Sequence, residues 1–432
     1  MKFDSIRTLF SRTYFKNIGI LLGGAGLSQV VLIAASPVIT RLYSPEDFGY
    51  FEVFYSVVSV LTAVACLQYD VSIYTAKDQK EGINAWASTF LVVIFVCVLI
   101  AACITIFKDI FLSITGAEIK EAWEWAVPVY IFFSAGFTLL LTWFTKQGEF
   151  KLISITRIIL SIMVVACQIS FGIADMGYWG LVSSTISVQA ITFIFLFFLF
   201  IRKYNFLFRE ITMAGIKANL KSNKHLPLIV WPGNFLNTVT QNLPAFFLAR
   251  IDATVLGFYS LSRRILGMPI AFMSSSVQSI FMKEATDEYA KTGKAVSTYK
   301  KNLILLSIFG IVVITGILSL GHWLIPLVFG SEWAGSVQYI YLLSILYAIR
   351  FISGSLSFVM LLGKGPKVDI FWQVTLFSLT YVIFSVIPEN TQPINIVLVY
   401  CLATSIYYLL YMLQSYSVAK NPDIARGLFR KL

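Results

Sequence analysis

Two adjacent arginines, Arg263 and Arg264, lie within residues 255–282, a stretch otherwise apolar enough to sit in lipid. Arg157 and Arg350 lie within two further apolar stretches. A charged side chain is costly at the centre of a bilayer, so each arginine is expected to face protein or water. The planar guanidinium group donates two parallel hydrogen bonds and therefore suits a phosphate or diphosphate group. These residues predict a wet, positively charged cavity that binds an anion.

Helical spacing indicates which side chains share a face with each arginine, because successive residues are about 100° apart. The faces of Arg264 and Arg350 carry small and polar residues. They are Ser260, Gly267, Ala271, Ser275 and Gln278 beside Arg264, and Tyr339, Tyr347, Ser353, Gly354, Ser357 and Lys364 beside Arg350. On the fifth apolar stretch, Arg157 shares a face with Ser161 and Gln168. We predict that the cationic cavity is lined by Arg157, Arg263, Arg264, Arg350 and Lys364.

Acidic side chains are fewer in these stretches. Glu52 and Asp70 share a face of the second stretch with Ser56, Ser59 and Cys66, while Glu124 and Asp369 lie near the starts of the fourth and eleventh. Two interpretations stay open: the acids neutralise the arginines as buried pairs, or the arginines hold an anionic substrate. In the second case, Glu52, Asp70 or Asp369 could couple transport to H⁺ or Na⁺.

The composition predicts a polytopic membrane protein. Of 432 residues, 58% are hydrophobic and 13% are charged, whereas soluble domains carry about 25% charged residues. The five cysteines fall in apolar runs and the two histidines are far apart, so we expect no disulfide framework, metal site or cofactor. The basic start would suit a signal peptide cleaved near Ala34–Ser36, but its apolar run is too long and eleven similar runs follow.

An apolar stretch of about 20 residues spans a bilayer as a helix, and a helix satisfies its own backbone amides. We predict twelve spans at residues 17–40, 48–69, 83–107, 122–145, 152–174, 179–201, 227–249, 255–282, 302–320, 336–362, 368–387 and 394–416. Most Lys and Arg lie in one set of alternate loops, chiefly 202–225 and 283–301. This bias predicts cytoplasmic N- and C-termini. The net charge of +11 is thus a topology signal, and no nucleic-acid motif accompanies it.

Residues 17–70 and 224–280 resemble each other, with Gly26 opposite Gly233 and Pro37 opposite Pro244. We therefore predict an all-α fold of twelve transmembrane helices in two six-helix lobes, related by a pseudo-twofold axis along the membrane normal. The expected division is an N-terminal lobe at 1–201, a cytoplasmic linker at 202–226 and a C-terminal lobe at 227–432. Glycines at 23–26 and Pro232 predict an interrupted first helix in each half; close packing through small residues is the alternative.

Three stretches resemble one known family. "SPVITRLYSPEDFGYFEVFYSVVSVLTAVACLQYDVSIYTAKDQKE" (36–81) resembles the first hairpin of the polysaccharide-exporter branch of the multidrug/oligosaccharidyl-lipid/polysaccharide transporter superfamily, to which the O-antigen flippases belong. "VLGFYSLSRRI" (255–265) and "LIPLVFGSEWAGS" (324–336) resemble its eighth span and fifth outer loop. The resemblance implies the fold of the MATE exporters and of the peptidoglycan-precursor flippase MurJ, whose two additional spans are not found here.

The resemblance also implies a function without catalytic residues. The expected cargo is an undecaprenyl-diphosphate-linked oligosaccharide repeat unit, flipped across the bacterial inner membrane by alternating access. Membrane lipid, a glycan polymerase and a chain-length regulator are the implied partners. Two alternatives are a cation-coupled multidrug exporter, whose cavity should be acidic, and a membrane glycan polymerase or glycosyltransferase, which needs larger outer loops. Because the intramembrane charge is basic and the outer loops are short, we favour the flippase.

Overall fold

The structure is a computed structural model that describes residues 12–109, 111, 123–357, 359–362, 366–388 and 391–421. Within these ranges the chain is helical and contains no β-strand. We number the long helices in chain order as α1 (Arg12–Leu42), α2 (Pro45–Ala65), α3 (Gln79–Ile106), α4 (Trp123–Lys146), α5 (Phe150–Ile173), α6 (Tyr178–Tyr204), α7 (Trp231–Ala249), α8 (Ala253–Thr292), α9 (Val296–Phe329), α10 (Ser336–Leu356), α11 (Pro366–Val386) and α12 (Pro393–Lys420). Each overlaps one predicted span, so the predicted all-α membrane fold is confirmed.

Nine helices in the described ranges are long and apolar enough to cross a membrane. The other three long helices are α7, α8 and α11. Within α11, residues Phe371–Val386 form a shorter apolar segment. The helices α7 and α8 are less apolar because they carry carboxamides, hydroxyls and arginines. Polar residues at membrane depth are expected to face protein or water. These two helices are therefore the strongest candidates to contribute residues to a substrate site.

The first helix is continuous, so the interruption predicted at residues 23–26 is wrong. Glycine weakens a helix without removing a backbone donor, and here it serves close packing instead. A Cβ added to Gly24 would lie 2.5 Å from the Cβ of Ser154 on α5. The Ser154 hydroxyl donates to the carbonyl of Ile20 at 2.8 Å. In the second half, a short π-helix at Leu226–Val230 precedes α7.

The helices form two compact units. The first comprises Met1–Tyr43 and Tyr50–Thr238, and the second comprises Ser44–Gly49 and Val239–Leu432. The core of the first unit joins α3, α4 and α6 through aromatic rings. The ring centroid of Trp86 lies 4.6 Å from that of Phe200, which lies 5.5 Å from that of Trp143. The lobe boundaries predicted at residues 201 and 227 stay a prediction.

Residues after α6 return to α3 inside the first unit. The carboxamide of Asn84 on α3 donates to the carbonyl of Glu210 at 2.9 Å and accepts from the backbone N–H of Thr212 at 2.9 Å. Thr212 then caps a short helix, Met213–Ser222. From that helix, Asn219 donates to the hydroxyl of Ser88 at 2.7 Å. Buried carboxamides thus anchor the segment predicted as a cytoplasmic linker.

In the second unit, α10 packs against α8, α9 and α12. Its core includes the rings of Phe281, Tyr299 and Phe351. The Tyr299 hydroxyl lies 2.6 Å from the hydroxyl of Ser415, so the buried phenol has a partner on α12. This packing fixes the three helices α8, α10 and α12 against one another, and these helices carry the candidate site.

Two glycines in the second unit allow a close backbone approach. A Cβ on Gly257 would lie 1.8 Å from the carbonyl oxygen of Pro45, and one on Gly49 would lie 1.9 Å from that of Ala253. Beside them, the ring centroids of Phe48 and Trp333 are 4.9 Å apart in an edge-on arrangement. The segment Ser44–Gly49 is therefore packed directly on the start of α8, which only glycine permits at these positions.

Candidate substrate site

The helix α8 positions the first pair of predicted site residues. Asp252 caps it, because its carboxylate accepts from the backbone N–H groups of Thr254 at 2.6 Å and Val255 at 3.2 Å. Ser262, which is fully buried, donates to the carbonyl of Ser336 at the start of α10 at 3.3 Å. These contacts hold the segment that carries Arg263 and Arg264, both of which are half-buried.

Arg263 lies over an aromatic ring. Its guanidinium carbon is 5.9 Å from the ring centroid of Tyr259, which lies one helical turn earlier on α8. The Tyr259 side chain is only 3% exposed. A guanidinium at this distance from a ring is attracted by the negative face of the π-system. The contact orients Arg263 without neutralising its charge.

Arg350 on α10 lies within electrostatic range of Arg263. It is half-buried and also lies within such range of Tyr408 and Tyr400 on α12 and of Tyr347 on its own helix. A Cβ on Gly267 of α8 would lie 3.5 Å from Cε1 of Tyr347, so α8 and α10 are adjacent at this level. We call Arg263, Arg350, Tyr259, Tyr347, Tyr400 and Tyr408 the arginine–tyrosine cluster. It brings two positive charges and four phenols together within one unit.

The remaining predicted cations are not members of this cluster. Arg157 is exposed on α5 and belongs to the first unit, whereas Ser161 and Gln168, predicted on its face, are buried. Arg264 is half-buried beside Arg263. Lys364 lies outside the described residues, as do the side chains of Ala271 and Ser275. The structure thus brings together Arg263 and Arg350 from the predicted set.

The predicted acids differ in their surroundings. Glu52 on α2 is buried, with 8% of its surface exposed, and the fully buried Ser56 lies one turn away. The side chain of Asp369 lies outside the described part of the chain. Among the described residues, no group of three or more His, Cys, Asp or Glu side chains could hold a metal ion.

Asp70 is not on the face of α2, so the predicted alignment of Glu52, Cys66 and Asp70 is wrong. The helix ends at Ala65, and Leu67 and Gln68 adopt φ values of 47° and 62°. A left-handed turn of this kind cannot continue an α-helix. Burial raises the pKa of the Asp70 carboxyl, although backbone N–H groups of Asp70 and Val71 oppose the shift.

The helix α7 contributes polar residues that the sequence-based prediction of the site did not include. Asn234, Asn237 and Gln241 are exposed, and their spacing of three and four places them on one face of the helix. Each carboxamide offers two donors and one acceptor oxygen. The sequence contained a signal for these residues, because three carboxamides recur at helical spacing inside a stretch predicted to span the membrane.

The chain is similar to known proteins both in its sequence and in its fold. Residues 38–338, more than half of the chain, match the family model described as polysaccharide biosynthesis protein. No curated protein matches the chain in sequence. The lipid II flippase MurJ in an inward closed conformation shares the fold with a TM-score of 0.72 and 13% identity, over 95% of this chain and 92% of that chain.

Other transporters have the same fold. An outward-facing multidrug resistance transporter of the MATE family, in the MOP superfamily, gives a TM-score of 0.62 at 12% identity, over 96% of this chain and 97% of that chain. A MOP superfamily transporter from Pyrococcus furiosus, whose binding pocket is described as having reverse polarity, gives 0.56 at 13% identity, over 94% and 96%. The fold expected from the sequence is therefore confirmed as the one shared by transporters of this superfamily.

Proposed function

Because this chain belongs to the family of polysaccharide biosynthesis proteins, we propose that it is a flippase for an undecaprenyl-diphosphate-linked oligosaccharide repeat unit. The cargo is an O-antigen or related surface-polysaccharide unit, moved from the cytoplasmic to the periplasmic leaflet of the bacterial inner membrane by alternating access. One observation carries the proposal: Arg263 and Arg350 lie within electrostatic range of each other among tyrosines in the second unit. The product then serves a glycan polymerase and a chain-length regulator.

Two guanidinium groups near each other repel, and partial burial strengthens that repulsion. A bound diphosphate relieves it, because each phosphate offers a negative charge and oxygens that accept paired N–H bonds. The phenols of the cluster can add O–H donors to the same oxygens. The arginine–tyrosine cluster therefore favours an anion over the cationic drugs that a multidrug exporter carries.

The glycan part of the cargo needs neutral partners, since sugars present hydroxyls rather than charges. Asn234, Asn237 and Gln241 supply both donors and acceptors along one face of α7. Exposed carboxamides pair with hydroxyls or with water at similar free energy, so they accommodate a hydrophilic group without selecting one sugar strongly.

The proposal assigns the coupling of transport to an ion gradient to a carboxylate. Glu52, Asp70 and Asp369 are the candidates for coupling to H⁺ or Na⁺, of which Glu52 is buried in α2 and Asp70 is half-buried beyond it. A coupling carboxylate makes transport depend on an ion gradient. Unchanged flipping in vesicles without any H⁺ or Na⁺ gradient would remove this part of the proposal.

The test is flipping in reconstituted vesicles, with undecaprenyl diphosphate carrying one labelled N-acetylhexosamine as the probe. We expect Arg263→Gln with Arg350→Gln to abolish flipping while the protein still inserts, and the two Arg→Lys changes to retain part of it. Arg202→Gln, at an exposed site near the end of α6, is the matched control and should flip normally. A wild-type rate in the double variant would contradict the proposal. Ethidium export that is insensitive to both changes would favour a multidrug exporter.

A further inference from the structure

Two aromatic rings are stacked at the start of α7. The ring centroids of Trp231 and Phe235, one helical turn apart, lie 5.2 Å from each other with 26° between the ring planes. Both side chains are partly exposed. Asn234, which lies about 60° from Trp231 around the helix axis, is exposed, and so is Asn237 one turn later. The first half of α7 thus presents stacked rings and carboxamides side by side.

The Trp231 indole is held by its edge. Its N–H donates to the carbonyl of Ala63 on α2 at 3.0 Å. That carbonyl is open to the indole because α2 ends here: the N–H of Leu67, which would bond to Ala63 in a continuous helix, bonds to Val64 at 3.1 Å instead. In an aromatic belt at the membrane surface, the polar edge of a tryptophan lies at the level of the headgroups. Here the protein backbone takes the N–H, and the bond leaves the faces of the ring free for stacking.

The backbone also fixes the direction of Trp231. Its N–H bonds to the carbonyl of Leu226, five residues earlier, and the turn before it is π-helical. Pro232 accounts for the wider turn, because its ring would clash with the carbonyl of Leu228 in a regular α-helix. Single π-helical turns are rare and are found frequently at functional sites. The position of the ring is therefore set at both its backbone and its edge.

The side chains of this face suit a neutral, ring-shaped, polar ligand. Asn234 and Asn237 lie within the predicted span 227–249, where an exposed carboxamide is costly in lipid and is expected to face water or a polar ligand. A pyranose ring has C–H bonds on its faces and hydroxyls around its edge. An aromatic ring can stack on such a face, whose hydrogens are attracted by the π-system, while a carboxamide donates to and accepts from the hydroxyls.

We propose that Trp231, Phe235 and Asn234 form a binding subsite for one neutral pyranose of the lipid-linked cargo. All three residues belong to the first unit. The inference rests on the proposed function and deepens it, because it adds an aromatic platform to the carboxamides and thereby names the class of sugar. A pyranose with equatorial ring hydroxyls, such as N-acetylglucosamine, offers the flattest C–H face and is the preferred ligand.

The first experiment measures what one sugar adds to binding. The affinities of the full chain in detergent are compared for undecaprenyl diphosphate and for the same lipid carrying one N-acetylglucosamine. We expect the wild type to bind the sugar-bearing lipid about two- to tenfold more tightly. The ratio should fall to about one in Trp231→Leu and in Asn234→Leu, the second of which changes an exposed side chain and leaves the packing intact. Trp231→Phe keeps a ring and should retain part of the ratio.

Matched controls change the same residue types elsewhere in the first unit. Trp125 on α4 is 70% exposed, and Asn205, directly after α6, is exposed. We expect Trp125→Leu and Asn205→Leu to keep the wild-type ratio between the two lipids. A ratio that falls equally in these controls would overturn the subsite, because the effect would then not depend on its residues.

A second experiment locates the sugar without any variant. The lipid carries a photoactivatable diazirine on its N-acetylglucosamine, and the labelled peptides are identified by mass spectrometry. Trypsin releases residues 225–250 as one peptide, because Lys224 and Arg250 are the nearest basic residues. We expect label on residues 231–238 of this peptide, removed by an excess of the unlabelled lipid. Phosphatidylcholine with a diazirine on its headgroup should leave these residues unlabelled.

The outcomes separate the subsite from the proposed function. If the wild type binds and flips both lipids alike and the sugar label falls outside 231–238, only the subsite fails. Equal labelling by phosphatidylcholine would make this face an ordinary headgroup contact and would also overturn the subsite. If the affinity ratio and the label appear as expected but neither lipid is flipped, the transport proposal fails and the subsite stands.

Discussion

The guanidinium carbon of Arg263 lies 5.9 Å from the centre of the Tyr259 ring, one turn earlier on the same helix. The ring face attracts the cation, and the buried phenol fixes where that cation points. Arg350 approaches the same region from α10. An intrahelical contact thus presents Arg263 to a second arginine that lies far away in the sequence.

Replacing Tyr259 tests this positioning. Tyr259→Phe keeps an aromatic ring, whereas Tyr259→Leu removes the cation–π contact, which is worth about 0.5–2 kcal/mol. We expect pyrophosphate affinity, measured by calorimetry on the purified protein, to fall about twofold to thirtyfold in the leucine variant. The phenylalanine variant should retain most of the wild-type affinity. Equal losses in both variants would show that the hydroxyl, not the ring, matters.

The close backbone approach at Gly257 predicts a steric effect. A Cβ there would lie 1.8 Å from the Pro45 carbonyl oxygen, which is backbone and cannot move aside cheaply. Gly257→Ala should displace the segment Ser44–Gly49 and lower the thermal unfolding temperature in detergent. Gly19→Ala, with nothing within 4 Å of its added Cβ, should leave that temperature unchanged or raised. A Gly257→Ala protein as stable as Gly19→Ala would contradict this close packing of Gly257 against Pro45.

Asp70 predicts a pH dependence of stability. Burial raises the pKa of its carboxyl, so the folded state favours the protonated form. Its contribution to the free energy of unfolding is complete below the unfolded pKa and is lost as pH rises through the folded pKa. Asp70→Asn should therefore melt at a higher temperature than the wild type at pH 7, and the difference should vanish toward pH 4.

The control for this titration is Asp175→Asn, at an exposed position whose φ of 54° suits asparagine. We expect its melting temperature to follow that of the wild type from pH 4 to pH 8. A stabilisation by Asp70→Asn that is the same at every pH would mean that the carboxyl charge is not its cause.

Glu288 predicts the opposite pH dependence. Burial works against its ionisation, but the Thr298 hydroxyl and the backbone N–H groups of Thr298 and Ser297 donate to it and lower its pKa. This carboxylate caps the start of α9, and its contribution is present above the unfolded pKa and lost as pH falls through the folded pKa. Glu288→Gln should cost about 1 kcal/mol of unfolding free energy at pH 7.

Chemical unfolding at pH 7 and pH 4 measures this effect. The difference between Glu288→Gln and the wild type should shrink as the pH falls from the unfolded pKa toward the lowered folded pKa, because the unfolded wild-type chain then binds more protons than the folded one. Asp287→Asn is the neighbouring control, at an exposed residue of the same helix. A loss of stability in Glu288→Gln that does not change with pH would indicate a steric cause.

The helical fold could be predicted from the sequence alone. Apolar stretches of membrane length can satisfy their backbone amides only as helices or closed barrels, and their uniform apolar character excludes barrel strands. The same argument identified Arg263, Arg264 and Arg350 as residues that must avoid lipid. Helical spacing was less reliable where the helix ends, and it misplaced Asp70 because Leu67 and Gln68 turn left-handed.

The composition of the site depended on tertiary structure. Spacing rules relate residues on one helix, so they could not show that Arg263 on α8 lies within electrostatic range of Arg350 on α10, or that Tyr400 and Tyr408 on α12 do so too. Nor could they assign the segment Ser44–Gly49 to the second unit, since that depends on glycines fitting against backbone elsewhere in the chain. The sequence determined which residues are costly to leave in lipid. Packing between helices decided which of these residues lie near one another, because contacts across helices depend on side-chain shape.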